Sequence, residues 1–433
     1  MGAKGLPVTA IISATTLLLI NLGLLWLMMA APVGRRTITV RRAFKARPER
    51  IWDAVYPKGI AANWHPSVLS TGISEGNSNR VDLAYRYPDR KGRPIRRTLE
   101  ISDAIEDPIG RYTYRSRVVE DSVLDADFWK NYQEQRTVTA ASDGADLTVE
   151  QTDIYRGLAY LIFRYFSLRR EVRALEGYLA TGDAKSTGWL FEHPLVQVAL
   201  GIVSTLLLWS FFGFTPSGLI LSTLLTVVIV LHEFGHMAAY RAFGHKHARM
   251  IFIPLLGGIA IGGRPYNSRF EVATCAVMGP GMSAFLVPMV IALHGSVSKA
   301  LHHQVYNGPI LLFLLILGAF NLLNLLPMYR FDGGQVLRQI FRSRNALMAG
   351  SFGVTLVILW IGYRVGLSST ALVAALAVFT LMSLIGFGSV KPKDSLDEMS
   401  AGERMMTTFG LYSAVAIHGY AIIFACDRLF PLH

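Results

Sequence analysis

The chain predicts a multi-pass α-helical membrane protein of about eight spans, with one soluble α+β domain and one short membrane-dipping β element. Three observations predict this class. The 433 residues are 52% hydrophobic with a positive mean hydropathy, enough for several spans beside a folded domain. Much of that apolar content is gathered in runs of about 20 residues, the length a helix needs to cross ~30 Å of hydrocarbon. Between residues 37 and 183 the runs become short and charges frequent, which marks the soluble domain.

The formal net charge of +12 suggests nucleic acid at first sight. Its basic residues, however, are spread among loops flanking the apolar runs and a mixed-charge domain, so membrane topology explains them and no nucleic-acid partner is expected. Cys275 and Cys426 are the only cysteines and lie in apolar stretches far apart in sequence. They exclude a disulfide framework and a thiolate metal site, and read as small buried hydrophobes.

The first element is the apolar run 6–31, with Lys4 before it and Arg35, Arg36, Arg41 and Arg42 after it. Length and flanks favour a retained anchor, while the small pair Ala30-Ala31 leaves a cleaved signal peptide open. Three regions follow: an anchor at 1–34, a soluble domain at 35–190 and a membrane domain at 191–433. In the soluble domain Ile38 and Val40 alternate with polar residues as in a strand, and Pro48-Glu49 opens a short helix carrying Ile51, Trp52 and Val55. Arg90-Lys91-Gly92-Arg93 and Ser142-Asp143-Gly144 mark turns. An amphipathic helix at 157–179 closes the domain, with Leu161, Phe163, Phe166 and Leu168 among its apolar residues.

The segment from Val40 through Pro48, Ile51, Trp52 and Val55, followed by Trp64-His65-Pro66, resembles the opening of helix-grip domains of the START/polyketide-cyclase type. The resemblance implies a curved antiparallel sheet wrapped around the C-terminal helix, with an apolar ligand or a protein as possible partner. His65 lacks a partnered nucleophile and reads as a structural or cavity-lining residue.

Beyond Pro194 the predicted spans are 196–214, 219–240, 271–293, 309–327, 347–365, 370–387 and 410–429, which with the anchor make eight. Loops on the Arg241 side carry twelve basic residues, against Lys4, Lys299, Arg364 and Arg428 on the other. The excess predicts that the Arg241 side and the soluble domain are cytoplasmic, in a bacterial inner membrane.

The second of these later spans ends in His232-Glu233-Phe234-Gly235-His236. Histidines four apart share one helix face and can grip one metal ion, while a carboxylate beside the first can take a proton from water. Three ionisable groups at membrane depth are costly and point to function. A catalytic zinc needs a third ligand and an open position. Asp332, in the stretch from Asn324 through Pro327 to Gly333-Gly334, is the candidate: Pro327 should break the helix, and the glycines should allow close packing or positive φ. His245, His247, His294, His302 and His303 read as loop or span-end histidines.

These two motifs resemble the site-2 protease family of intramembrane zinc metalloproteases. The resemblance implies that His232, His236 and Asp332 bind zinc, that Glu233 is the catalytic acid/base, and that Asn324 stands near substrate or oxyanion. Tyr329 and Ser283 replace residues usual in that family, which bears on substrate grip. The segment 252–263 is too short to cross a bilayer and glycine-rich at both ends. It reads as a β element whose Gly257-Gly258-Ile259 edge pairs with an unwound transmembrane protein substrate. The expected activity is hydrolysis within a transmembrane segment of a membrane-tethered protein, in regulated proteolysis. The alternative is a catalytically silent membrane adaptor whose soluble domain binds a lipid or protein.

Overall fold

The computed structural model describes residues 31–182, 193–300, 307–384 and 395–430, together with 23, 26 and 27, and leaves out 59, 90, 91, 108, 109, 213, 247, 254–256 and 330 within those ranges. The predicted anchor at 6–31 thus lies almost wholly outside the described residues. By internal contacts the chain forms two units, Met1–Trp189 with Phe387–Ser395 and Leu190–Gly386 with Leu396–His433.

In the first unit the alternating segments become seven strands. They are β1 (Pro32–Phe44), β2 (Val68–Ile73), β3 (Arg80–Pro88), β4 (Pro94–Asp107), β5 (Arg111–Asp121), β6 (Gln133–Ala141) and β7 (Gly144–Arg156). Their order is β1-β7-β6-β5-β4-β3-β2, and every pairing is antiparallel. Helices α1 (Pro48–Val55) and α2 (Ala61–Trp64) follow β1, and α3 (Ala126–Trp129) follows β5. Proline at the first turn starts α1, whose Ile51, Trp52, Ala54 and Val55 are buried. The β6–β7 turn brings Gly144, at φ +129°, so close to Phe44 that a Cβ would strike the Phe44 carbonyl.

The closing helix α4 (Leu158–Thr181) buries Leu168, Val172, Leu175 and Leu179, a three-and-four spacing that lays one face on the sheet. Each fully buried aliphatic side chain of this kind contributes ~1.5–3 kcal/mol. Phe163 and Phe166, expected among the apolar residues of an amphipathic face, stand on the other side and are exposed. Two buried aromatics have their polar tips satisfied by backbone: Trp64 Nε1 donates to Ala54 O (2.6 Å) and Tyr114 Oη to Val55 O (3.1 Å). A long antiparallel sheet with a C-terminal helix across it is the expected helix-grip arrangement.

The second unit contains α5 (Pro194–Phe211), α6 (Pro216–Ala242), the hairpin β8 (Arg249–Ile253) and β9 (Gly257–Ile261), α7 (Arg269–Ala300), α8 (Asn307–Asn324), α9 (Asp332–Ile340), α10 (Arg344–Arg364), α11 (Ser369–Leu384) and α12 (Ala401–Leu429). Among the described residues four helices are long and apolar enough to cross a membrane: Pro216–Ala242, Arg269–Val297, Arg344–Arg364 and Ala401–Leu429. They are four of the eight expected spans, and the expected anchor at 6–31 lies outside the described residues. Helices α5 and α8 are shorter apolar helices, ~27 Å long at the helical rise, and α11 has 16 residues. Val228, Val287, Leu314, Leu317, Ala421 and Ala425 form a buried cluster joining α6, α7, α8 and α12.

Two sequence signals are explained by close backbone approach. The chain leaves the helix at Asn324 before Pro327, and Asp332 opens α9. A Cβ on Gly333 would meet Leu325 O and one on Gly334 would meet Met328 O, so these glycines serve packing rather than positive φ. Likewise Gly235 of α6 lies against Met278 O and the Cα of Gly279 of α7.

Candidate metal centre

Helix α6 places His232 and His236 one turn apart, with their Nε2 atoms 3.0 Å from each other. Asp332, at the first turn of α9, brings Oδ2 to 3.1 Å from His232 Nε2 and 3.4 Å from His236 Nε2. His232, Glu233 and Asp332 are buried. All three expected ligands therefore meet, although the third comes from a separate element about a hundred residues on.

The other ring nitrogens fix the direction in which these ligands point. His236 Nδ1 donates to the carbonyl of Cys275 (2.7 Å). His232 Nδ1 faces Asn321 Oδ1 at 2.8 Å, and Asn321 spends its amide N–H on Leu317 O (2.8 Å), leaving its oxygen as acceptor. Both imidazoles thus carry their proton on Nδ1 and aim an Nε2 lone pair at Asp332. Asp332 Oδ2 is itself buried without a hydrogen-bond partner. With both rings neutral, two nitrogen lone pairs and a carboxylate oxygen converge, an arrangement that a cation would satisfy. Zinc bonds of ~2.1 Å in a tetrahedral set put ligand atoms ~3.4 Å apart, close to the separations here. Gly279 keeps the space open, because a Cβ there would collide with His236 Nε2 and His232 Nε2. The residues present fit a divalent zinc with one open position.

Glu233 stands beside this cluster, its ligand atom with those of His232 and His236 all within 4.8 Å of one another. It is tied to the hairpin, since Ala260 N donates to Glu233 Oε2 at 2.8 Å. Ala260 opposes Met250 and Gly258 opposes Phe252 across the hairpin, so both belong to the set whose backbone groups point away from β8. The same edge needs glycine at 258, where a Cβ would run into the Glu233 side chain. Gly257, at φ +93°, opens the strand, and Ile259 is partly exposed opposite Ile251. The Gly257-Gly258-Ile259 edge and Glu233 are therefore neighbours.

Asn324 is placed differently from the other expected residues. Its Nδ2 donates to Phe320 O (3.0 Å), turned back on its own helix. The asparagine that touches His232 is Asn321, one turn earlier, which sequence reading missed. Its only sequence signal is an amide inside an otherwise apolar span. His418 was also missed: fully buried on α12, it donates Nε2–H to Pro280 O (2.9 Å), next to Gly279. His245, expected at a loop surface, is buried against Glu271, with Nε2 2.6 Å from Oε1. The reason is that Glu271, itself held by Arg264 and the Asn267 N–H, reaches it from the next helix. Cys275 is buried and both cysteines are free.

The class that these observations define is a zinc-metalloprotease-like membrane protein with a helix-grip domain. No family model matches the chain. Two curated relatives do. The zinc metalloprotease MJ0392 of Methanocaldococcus jannaschii is 29% identical over 155 residues, 35% of this chain and 40% of the relative. A protein of Synechocystis sp., sll0528, provisionally named a zinc metalloprotease, is 32% identical over 130 residues, 30% of this chain and 33% of the relative. The chain thus matches less than half the length of either. Among solved structures, Ara h 8.0201 is similar at 18% identity and TM-score 0.27, covering 34% of this chain and 99% of that one. A START superfamily protein from Mycobacterium smegmatis is similar at 14% identity and TM-score 0.24, covering 34% and 97%. The helix-grip description rests on the strand order and closing helix given above.

Proposed function

We propose that the chain is a zinc-dependent intramembrane endopeptidase of the site-2 protease type, hydrolysing a peptide bond in a transmembrane segment of a membrane-tethered protein. The observation that carries this reading is the convergence of His232 Nε2, His236 Nε2 and Asp332 Oδ2 on one point beside Glu233. These three atoms would hold the zinc. Bound there, zinc supplies Lewis acidity towards a carbonyl and activates water.

The chain's own residues supply the rest. Glu233 takes the proton of the attacking water and delivers it to the leaving amine. The Ala260 N–H steadies Oε2 of that carboxylate. A substrate strand laid along Gly257-Gly258-Ile259 is held extended within reach of Glu233, which a helical peptide bond is not. Asn321 and the Cys275 carbonyl fix the two imidazoles. Asn324 holds the substrate backbone or the developing oxyanion once its bond to Phe320 O is released.

The substrate class is therefore a transmembrane protein, the setting the lipid bilayer, and regulated proteolysis the biological role. The twelve-to-four distribution of basic residues supports a cytoplasmic helix-grip domain, and the membrane proposed is a bacterial inner membrane. Cysteines introduced into residues 37–183 should then resist impermeant thiol reagents in intact cells, and rapid labelling would overturn that orientation. The adaptor alternative is disfavoured by a complete ligand set with a general base beside it. Cleavage of a panel of single-span membrane proteins by the purified chain tests the activity. Glu233→Gln should lose ~10²-fold or more in rate, and undiminished cleavage would sink the assignment.

A further inference from the structure

The helix-grip unit contains a partly open cavity of about 300 Å³ between its sheet and α4. That is room for ~10 waters at ~30 Å³ each, or for one small molecule. Its lining is not uniformly apolar, and the charges are arranged in a way that selects a ligand.

The acids of the cavity are already satisfied. Glu134 accepts from Arg136 Nε (2.7 Å), Gln151 Nε2 (2.7 Å) and Tyr132 Oη (2.8 Å). Glu171 accepts from Arg136 Nη2 (2.5 Å). His65 takes the N–H groups of Ser67 and Val68 on Nδ1, so its proton is on Nε2, which faces Glu171 Oε2 at 3.5 Å. Little acceptor capacity is left for a cationic ligand.

The cations are not balanced in the same way. The lining holds Arg97, Arg136 and Arg164 against Glu134 and Glu171. Arg97 has its own counter-charge, Asp121, at 2.9 Å. Arg164 pairs with no carboxylate among the described residues. Its guanidinium lies over the rings of Tyr132 (5.2 Å) and Tyr160 (5.7 Å), and its buried Nε has no acceptor. Asp153 accepts from the Ile154 N–H (2.7 Å) instead. One guanidinium thus lines the cavity with an unpaired Nε–H and no carboxylate in contact, which is costly unless something supplies the acceptor. Around it the walls are apolar or aromatic: Leu83, Leu99, Tyr114, Val118 and Leu168.

We infer that this cavity binds a small organic acid, its single carboxylate on Arg164 and its apolar or aromatic body against these walls. Arg164, the one cavity arginine without a carboxylate in contact, calls for a single carboxylate, and the saturated glutamates disfavour amines. The planar guanidinium suits a carboxylate by paired N–H bonds. This site is separate from the metal centre and does not depend on the proteolytic reading.

Titration calorimetry on the full chain in detergent tests it, with benzoate, phenylacetate and hexanoate as probes and benzamide and inorganic phosphate as comparisons. At least one of the three acids should bind saturably, and benzoate at least about tenfold more tightly than benzamide. Arg164→Gln should weaken acid binding about tenfold or more, while Arg164→Lys, which keeps the charge but loses the paired donors, should fall between Arg164→Gln and wild type. Equal affinity for benzamide, tighter binding of phosphate, unchanged affinity in Arg164→Gln, or no saturable binding by any of the acids would each overturn the inference.

Discussion

Both units bury carboxylates beside histidines, and they resolve the burial in opposite ways. In the helix-grip unit Glu134 and Glu171 are met by Arg136, Gln151 and Tyr132, so protons stand between the charged oxygens and their neighbours. In the membrane unit the protons are turned outward, to Asn321 and Cys275 O, and the lone pairs of His232, His236 and Asp332 face one another. A cluster of buried ionisable groups is therefore not by itself a metal site. What separates a closed network from a cation site is which way the protons point, and in the second case that is set by residues outside the ligand set.

The comparison can be broken at the point where space matters most. Gly279→Ala puts a methyl group where the histidine nitrogens converge, and should abolish zinc retention and lower proteolysis ~100-fold or more, as a displacement of ~1 Å does. The check is metal content and cleavage of the same preparation, with a circular dichroism melt confirming the fold. A smaller effect is expected from Asn321→Ala, which frees the His232 ring and should weaken zinc binding ~10–100-fold, measured by competition with a chelator. Asn324→Ala should leave zinc affinity unchanged, so the two substitutions tell the asparagines apart.

The smallest effect sharpens the other side of the comparison. Burial pushes the Glu171 carboxyl up, but the Arg136 guanidinium and then His65 outweigh it and hold the group well below the usual carboxylate range. A depressed folded-state pKa contributes stability above the unfolded value of ~4.3 and loses it as pH falls below that. Glu171→Gln should destabilise the helix-grip unit by ~1.5 kcal/mol at pH 7, the size of a hydrogen bond to a charged group. The gap between variant and wild-type melting temperatures should narrow as pH is lowered below ~4. A gap independent of pH would contradict the closed network.

Much of this was legible in the sequence because it depends on local rules. Pro48-Glu49 starts α1 where expected, the helix ends before Pro327, and His232 and His236 lie one turn apart on α6 as their spacing implies. Asp332 was found through the scarcity of acids in apolar spans. What was not legible depends on how elements meet. Which asparagine serves His232 is set by the rotation of α8 against α6. Glu134 faces Gln151 because β6 and β7 pair in that register, and nothing in the alternating pattern gives the register. His245 looked like a loop histidine because Glu271, its partner, lies on the next helix. The expected spans were apolar enough to be noticed, yet α5 and α8 form helices too short to qualify by length.

The central claim is that three side chains form one zinc site and that Glu233, beside them, is not a ligand. Elemental analysis of zinc-loaded, exhaustively dialysed full-length protein tests it most directly. Wild type and Glu233→Gln should each retain about one zinc per chain, and His236→Ala and Asp332→Ala almost none. Full zinc retention by Asp332→Ala, or loss of zinc from Glu233→Gln, would contradict it.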